Sequence, residues 1–566
     1  GPKFEVHNVV KEFYTMLEYT KYVEEHPDNK LKPRFYKGLG TSSGEEFRQY
    51  FSEERSKKIE FKWNKSAEKY LQIAFGKEKI STDRKALIES APREIEPKVE
   101  GDVTIKDFIT NEFIIFCRKA LVRAIPGIDG FKEGQRKAIY IGMTIDDDVK
   151  VDTIIGRCLE HAAYHHAPTA MADAIIKMAQ GFTGSNNIPL FRAAGGFGSR
   201  ENGGETDTAP RYLLTSLRSY IKKLFHPDDF HVLPRNYDNN KPIEPTFYLP
   251  VVPLSVINPH QGIAVGWSTT IPAYNPLDTI AYCKAYIRCG DEAKNKIELI
   301  PWYRGFTGVT RVEDGKVYFE GVMEETKEGY VITELPVTTW PNAFKDILEQ
   351  MVADKTISSY DASESTVNKP HFRIKTKNQL TLESFSYGKK SGMIGCLSLT
   401  NLVLVDEVGN PRKYEDVYEI LNEYCKIRLD YYGKRKDYLI DELGKRVKIA
   451  KNKARYIRQV RDGELDMTLE EDLVLGNLKE AKYDKIDGKY DYLVSMQMRS
   501  MTETRYNELK KEHERLKAEL IELEITKPSD MWKTDLEEFR VAYEKYLEEA
   551  EKKDNMAIKK RRGKKV

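Results

Sequence analysis

The carboxyl-terminal third constrains the fold of this chain more than any other part. Apolar residues recur at helical spacing over about 414–461 and again over about 499–525, where Leu509, Leu516 and Leu523 stand seven residues apart. Between these stretches, 463–498 mixes Leu465, Leu473, Leu475, Tyr492 and Leu493 with turn residues. Two long helices flanking a small globular insert suggest an antiparallel coiled-coil arm. Two amphipathic helices of an ordinary bundle would show the same periodicity.

The rest of the chain changes texture along its length. Residues 1–95 read as a short strand, a Tyr-rich helix (Tyr14 to Val23), a Gly-rich turn and two polar helices, closing at a linker with Pro92 and Pro97. From about 100 to 250 the pattern is helical, with Gly-rich interruptions at 127–134 and 195–204. Charge becomes one-sided there: 118–140 holds six Lys or Arg against Asp129 and Glu133, a local balance of +4. From about 250 to 410, Pro and Gly punctuate short β-branched and aromatic runs such as Tyr248 to Ile257 and Tyr330 to Leu335, which indicates a mixed α/β region. The 566 residues amount to several domains at roughly 150 residues each.

Composition excludes some classes. Lys and Arg total 91 against 89 Asp and Glu, so any basic surface must be local. No apolar run approaches the roughly 18–20 residues of a membrane helix, and no charged-then-apolar leader opens the sequence, so the expectation is a soluble chain. The six cysteines (Cys117, Cys158, Cys283, Cys289, Cys396, Cys425) have no ligand-like spacing, against structural zinc and a disulfide framework and in favour of a reducing compartment. The run Lys559-Lys560-Arg561-Arg562-Gly563-Lys564-Lys565 reads as a solvated disordered end, with a nuclear address or a DNA-attracting arm as alternatives.

Among 33 tyrosines, Tyr212 has neighbours that could change its chemistry. It follows Arg211 and the Gly-rich segment 195–204, and Arg218, Lys222 and Lys223 come after it. A phenol titrates near pH 10, so attack on a phosphodiester at neutral pH needs a base and nearby positive charge. The pair His165-His166 precedes a helical run from Thr169 to Gly181. It suits phosphate contact or proton transfer better than zinc, since no further ligand lies at the right spacing.

Longer strings carry a resemblance. Tyr36-Lys37-Gly38-Leu39-Gly40-Thr41-Ser42, Asp129 to Lys137, Ala163 to His166, Gly184 to Asn187, Gly195 to Arg200, Pro210-Arg211-Tyr212, Gly266-Trp267-Ser268 and Arg304 to Gly308 resemble, in order, the signature segments of type IIA DNA topoisomerases of the eukaryotic kind. The resemblance implies a multi-domain α+β chain. Residues 1–95 would be the carboxyl-terminal part of a TOPRIM α/β domain, 96–250 a winged-helix domain, and 251–410 an α/β tower. Residues 411–566 would be a long antiparallel coiled-coil arm with a dimerising exit gate and a basic tail.

The resemblance also implies roles. Tyr212 would form a 5′-phosphotyrosyl link, Arg211 would steady the scissile phosphate, and His166 would act as acid, base or phosphate contact. Lys37, Lys132, Arg136, Lys137 and His165 would contact DNA, and Ile263 would be the apolar wedge that bends the cut segment. The implied partners are duplex DNA and a second copy of the chain, with no membrane. The implied cofactors are Mg2+, and ATP for a full-length enzyme. The implied compartment is the nucleus, or a cytoplasmic or viral replication site.

Departures bound these expectations. The family's metal carboxylates, a Glu and an Asp-x-Asp-x-Asp-Gly cluster, do not precede Tyr36, and Asp146-Asp147-Asp148 is no substitute. No ATPase motifs occur. Pro210, Ala167-Pro168, Pro259 and Ala264-Val265 stand where the family usually has other residues. The competing readings are a non-catalytic DNA-binding protein on the same scaffold and a nuclease using a tyrosyl intermediate.

Overall fold

The structure, a computed structural model, describes residues 3–6, 9–13, 16–27, 43–52, 59–77, 81–92, 95, 101–238, 241–388 and 392–562. They divide into two compact units, 1–221 with 234–424, and 222–233 with 425–566. Among the described residues no helix is long and apolar enough to cross a membrane. All six cysteines are free thiols, four of them buried.

The first unit begins with an antiparallel pair, Lys3–Val6 with Val9–Glu12, and the helices Met16–Glu25, Gly44–Ser52, Ala67–Phe75 and Ser81–Ser90. The strand Glu60–Lys62 pairs in parallel with Asp102–Thr104. That pairing crosses the linker read from the prolines, because the parallel register needs a long connection and the helices between 67 and 90 supply it. Thr104 and Asp107 form a capping box that starts Ile105–Phe108, and the helix continues through a π turn at Ile109–Phe113 into Ile114–Ala124.

Three helices, Glu133–Gly142, Val151–His161 and Pro168–Ala179, form the centre of this unit. Each buries one apolar stripe: Ile139 and Ile141; Ile154, Ile155 and Cys158; Met171, Ile175 and Met178. A short ribbon, Val149–Lys150 with Leu214–Thr215, ties the segment around Tyr212 to them. Pro168 occupies the first helical turn, where its missing N–H costs nothing.

Beyond residue 234 the mixed texture becomes hairpins and two antiparallel sheets. Val309–Glu313, Lys316–Glu320 and Ile394–Ser398 make one. Val322–Thr326, Gly329–Glu334, Phe372–Lys375 and Ser359–Asp361 make the other, in that spatial order. The helix Pro341–Ala353 covers the second sheet, packing Phe344, Ile347, Leu348 and Met351 on Ile332, Phe372 and Ile374.

The second unit contains most of the 45-residue helix Val417–Arg461, the helix Glu503–Ile525, and an insert with its own core of Leu465, Val474, Leu478, Tyr483, Tyr490 and Leu493. The two helices run antiparallel: Arg461 meets Glu503, Ala454 and Ile457 pack on Leu509, and Lys436 Nζ donates to the Glu524 carbonyl at 2.8 Å. Of the heptad leucines, Leu509 and Leu516 are buried and Leu523 is half-buried. A third long helix, Pro528–Arg562, was not anticipated; the backbone of the basic run Lys559 to Arg562 is its last turn rather than a disordered end.

Charge is buried at the base of this arm. Arg428 and Arg435 both reach Asp229, with Arg428 Nη2 at 2.7 Å and Arg435 Nη1 at 3.4 Å. Arg435 also pairs with Asp535 at 2.6 Å, and both guanidiniums lie over the Tyr432 ring, 4.0 and 4.3 Å from its centroid. Asp229→Ala removes the carboxylate that both guanidiniums share. We expect it to destabilise the arm unit by about 3–5 kcal/mol, read as a lower urea midpoint for that unit's transition, with Asp229→Glu falling between the two.

Candidate active site and nucleic-acid interface

Tyr212 ends a one-turn 3-10 helix, Pro210–Tyr212. Leu213 beneath it is fully buried, its carbonyl accepts from Val151 N at 3.0 Å, and Leu214 exchanges hydrogen bonds with Ala194. The turn is therefore fixed from both sides while the Tyr212 side chain stays 67% exposed. The Arg211 guanidinium lies 5.0 Å from the Tyr212 ring centroid. Arg211 is exposed too, so its charge is available to a phosphate beside the phenol.

The histidine pair sits where Val151–His161 gives way to Pro168–Ala179. Ala163 at the bend has a φ of 49°, and Tyr164 is buried, with its ring 5.5 Å from the His166 ring. Both histidines are exposed. His166 Nδ1 lies 3.4 Å from Arg123 Nη1. Sequence reasoning counted Arg123 only as one of six basic residues. The usable signal was its place in the last turn of Ile114–Ala124, where the buried Leu121 and Cys117 leave a cation facing outward. Tyr212 and Arg211 form no hydrogen bond with Arg123 or His166 among the described residues.

Arg136 and Lys137 require a correction. Read as phosphate contacts, they are only 6% and 4% exposed. Arg136 donates from Nε and Nη2 to Asp129 at 2.7 and 3.0 Å, and Lys137 Nζ donates to Glu244 Oε1 at 2.7 Å and the Ala162 carbonyl at 2.6 Å. Their charge is answered inside the protein, because a helix whose core-facing stripe carries cations must bring carboxylates to meet them.

Lys132 is half-buried, its Nζ donating to the Gln261 carbonyl at 2.8 Å, and burial with the nearby Lys177 lowers its pKa. Gln261 belongs to the hairpin His260–Ala264 with Trp267–Ile271, and Ile263 on that hairpin is 83% exposed. The departures at Pro259 and Ala264-Val265 leave the hairpin intact: Val265 and Gly266, with φ of 48° and 86°, make the two-residue connection. A Cβ at Gly262 would lie 2.3 Å from the Ala124 carbonyl, so the strand passes closer to the end of Ile114–Ala124 than any larger residue permits. Lys37 lies outside the described residues.

The acidic run offers no metal site. Asp148 accepts from Arg192 Nη1 at 3.2 Å and Ser216 Oγ at 2.5 Å. Among the described residues no group of three or more His, Cys, Asp or Glu could hold a metal ion. The described acidic residues therefore form no cluster that fits Mg2+.

An exposed, rigidly mounted phenol under a guanidinium, an Arg–His pair and a protruding apolar residue on a tight hairpin are compatible with the type IIA topoisomerase scaffold that the sequence strings resemble. Comparison with known proteins agrees. The DNA gyrase/topoisomerase IV family model matches residues 123–537, and the model for the C-terminal associated domain of TOPRIM matches residues 3–121. The chain is 32% identical to DNA topoisomerase 2 of Saccharomyces cerevisiae, over 95% of this chain and 42% of that protein. It is 31% identical to the mitochondrial DNA topoisomerase 2 of Dictyostelium discoideum, over 96% and 43%. The solved DNA-binding, cleavage and re-ligation domain of Plasmodium falciparum topoisomerase II superposes with a TM-score of 0.85 at 30% identity, covering 98% of this chain and 80% of that one. The chain belongs to the type IIA DNA topoisomerase family. It spans less than half the length of these two curated relatives.

The ion pairs around Arg136 and Lys137 make a separable expectation. Arg136→Ala should cost about 3–5 kcal/mol of stability while leaving the log–log salt slope of DNA binding by the folded protein unchanged. Arg123→Ala should keep the fold and reduce that slope by about 0.9. Fluorescence anisotropy across a salt series reads both.

Proposed function

We propose that this chain is the DNA cleavage and religation part of a type II topoisomerase, an isomerase that passes one duplex through a transient double-strand break in another. The single observation that carries the reading is Tyr212, exposed on a fixed turn beside Arg211 in a chain of this family. The Tyr212 oxygen attacks the scissile phosphorus, the O–P bond to the 3′ oxygen breaks, and the 5′ phosphate stays on the tyrosine. The phenolic proton passes to His166 or water, the departing 3′ oxygen takes a proton from water and leaves as a hydroxyl, and Arg211 and Arg123 offset charge on the non-bridging oxygens. One phosphodiester replaces another, so the reverse step reseals the strand without an external energy source.

Tyr212 and the Arg123–His166 pair form no hydrogen bond with each other among the described residues, and a homodimer on DNA is the natural way to unite them. On this reading 96–250 is the winged-helix domain, 251–410 the tower, and the insert near 463–498 the dimerising exit gate. Ile263 is the wedge between base steps, and His165 and Lys132 line the DNA path. Mg2+ and ATP would serve the full-length enzyme, and the compartment is an intracellular one that holds DNA.

Two experiments test the reading. With the family's metal-binding portion supplied in trans, wild type should give double-strand breaks bearing protein on the 5′ ends. Tyr212→Phe should bind DNA normally and give no covalent complex. Robust covalent capture by Tyr212→Phe would move the chemistry to another residue; DNA binding with no cleavage by wild type would favour the non-catalytic scaffold. For the dimer, Leu469, Leu473 and Val494 leave apolar surface on the insert, 41%, 56% and 36% exposed. Sedimentation should show a dimer at micromolar concentration, and Leu473→Lys with Val494→Lys should shift it toward monomer.

A further inference from the structure

The loop that leads into Tyr212 has an anchor that the cleavage reading does not use. Residues 195–209 run from Ala194, which exchanges hydrogen bonds with Leu214, to the turn Pro210–Tyr212. The only helical piece in between is a single 3-10 turn at Arg200–Asn202. Gly198 and Gly204, with φ of 82° and 87°, fold the loop back on itself. A segment with so little regular structure loses much conformational entropy on ordering, so it needs contacts that hold it.

Gln180 supplies them. Its side chain is buried, and Nε2 donates to the Phe197 and Gly204 carbonyls, both at 2.7 Å. One amide nitrogen thus uses both of its N–H bonds to join the outgoing and returning halves of the loop. The fit leaves no slack: a Cβ at Gly204 would lie 2.6 Å from Gln180 Oε1, and one at Gly198 2.3 Å from the Gly204 carbonyl oxygen. From this clamp the contacts reach Tyr212 in short steps. Thr206 Oγ1 donates to the Gly196 carbonyl at 2.5 Å and accepts from Thr208 N at 3.2 Å, and Tyr212 N donates to the Ala209 carbonyl at 2.9 Å.

Gln180 is fixed in turn. It closes the carboxyl end of Pro168–Ala179, and its carbonyl accepts from Asn186 Nδ2 at 3.0 Å. That helix begins two residues after His166 and, at 12 residues, is about 18 Å long. One rod therefore starts at the histidine pair and ends at the clamp on the Tyr212 loop.

We propose that Gln180 is a positioning residue for Tyr212, its two hydrogen bonds holding the loop so that the phenol and the Arg211 guanidinium meet a phosphate in one orientation. Gln180 acts through the loop and contacts no reacting atom. Its effect on cleavage rests on the proposed function; its effect on the loop does not. Orientation matters because misplacing a reacting group by roughly 1 Å can slow a reaction about a hundredfold.

Gln180→Met keeps the length of the side chain and removes both donors. In the DNA-free chain, hydrogen exchange should quicken about tenfold at the amides of 195–214 and stay unchanged in Ile114–Ala124 and Glu133–Gly142. With the metal-binding portion supplied in trans, the variant should bind DNA within about twofold of wild type and form covalent complex at least about tenfold more slowly. Gly204→Ala, which pushes the amide away from the loop side, should reproduce both effects and stands in if Gln180→Met does not fold. A uniform rise in exchange across the first unit would make Gln180 a merely structural residue and overturn the proposal. Wild-type exchange at 195–214 in the folded variants, or wild-type rates of covalent capture beside an active wild type, would overturn it too. Absence of cleavage by wild type itself would count against the proposed function, and the exchange comparison would still decide the clamp.

Discussion

Asp129 is the fixed point from which the candidate site is hung. With no exposure to solvent, it accepts four hydrogen bonds: Arg136 Nε at 2.7 Å, Arg136 Nη2 at 3.0 Å, Phe131 N at 3.1 Å and Tyr248 N at 2.8 Å. Tyr248 Oη closes the ring by donating to the Arg136 carbonyl at 3.1 Å. One carboxylate thus locks the loop 127–131, the start of Glu133–Gly142 and the segment after residue 241 into one body. Gly130 is obligatory here, with a φ of 83° and a virtual Cβ only 2.7 Å from Ser255 N. Lys132, two residues past Gly130, then reaches the Gln261 carbonyl, so the position of the Ile263 hairpin is inherited from the same pair.

Each candidate functional tip stands on a buried mount. Tyr212 rises from Leu213, His166 packs against the buried Tyr164, and Ile263 extends from a strand whose Gly262 lies against the Ala124 carbonyl. Exposing a phenol and an isoleucine this fully forgoes burial energy of roughly 1.5–3 kcal/mol for the isoleucine alone. Such residues persist where a large partner covers them, and rigid mounts limit the entropy lost when it does.

The arm was legible because its signal is local: period, heptad leucines and a turn-rich insert all lie within the segment they describe. The Arg211–Tyr212 pair was legible as a candidate for a different reason, since the two residues are adjacent in the chain and their string is distinctive. Arg136 and Lys137 were misread because burial is not local. The carboxylate that answers Lys137, Glu244, lies 107 residues away. The His166 partner Arg123 escaped for the same reason, 43 residues upstream. The parallel pairing of Glu60–Lys62 with Asp102–Thr104 escaped because two three-residue strands carry almost no periodic signal, while prolines between them read as a boundary. The helix Pro528–Arg562 was hidden by its lysine-rich end, whose composition resembles a disordered tail although Trp532, Leu536, Phe539 and Tyr543 are buried at helical spacing.

On the proposed function, the inward-turned cations also change how the chain would attract DNA. With a formal net charge of +2 over 566 residues, attraction to phosphate has to come from local concentration. Setting aside the Arg136–Asp129 and Lys137–Glu244 pairs leaves Arg118, Lys119, Arg123 and Lys132 against Glu133 in residues 118–140, a balance of +3 in place of +4. The magnitude barely changes, but the charge moves. Three of these four cations lie on Ile114–Ala124, the helix whose last turn brings Arg123 to His166 and whose Ala124 carbonyl abuts the Ile263 hairpin. Arg118 is held there by hydrogen bonds from Nη1 and Nη2 to the Pro92 and Ala91 carbonyls. Counterion release rewards cations that reach phosphates and ignores those already neutralised by carboxylates. Attraction and positioning therefore fall to different helices: Ile114–Ala124 presents charge, and Glu133–Gly142, with its cations turned inward, holds the frame rigid beneath it.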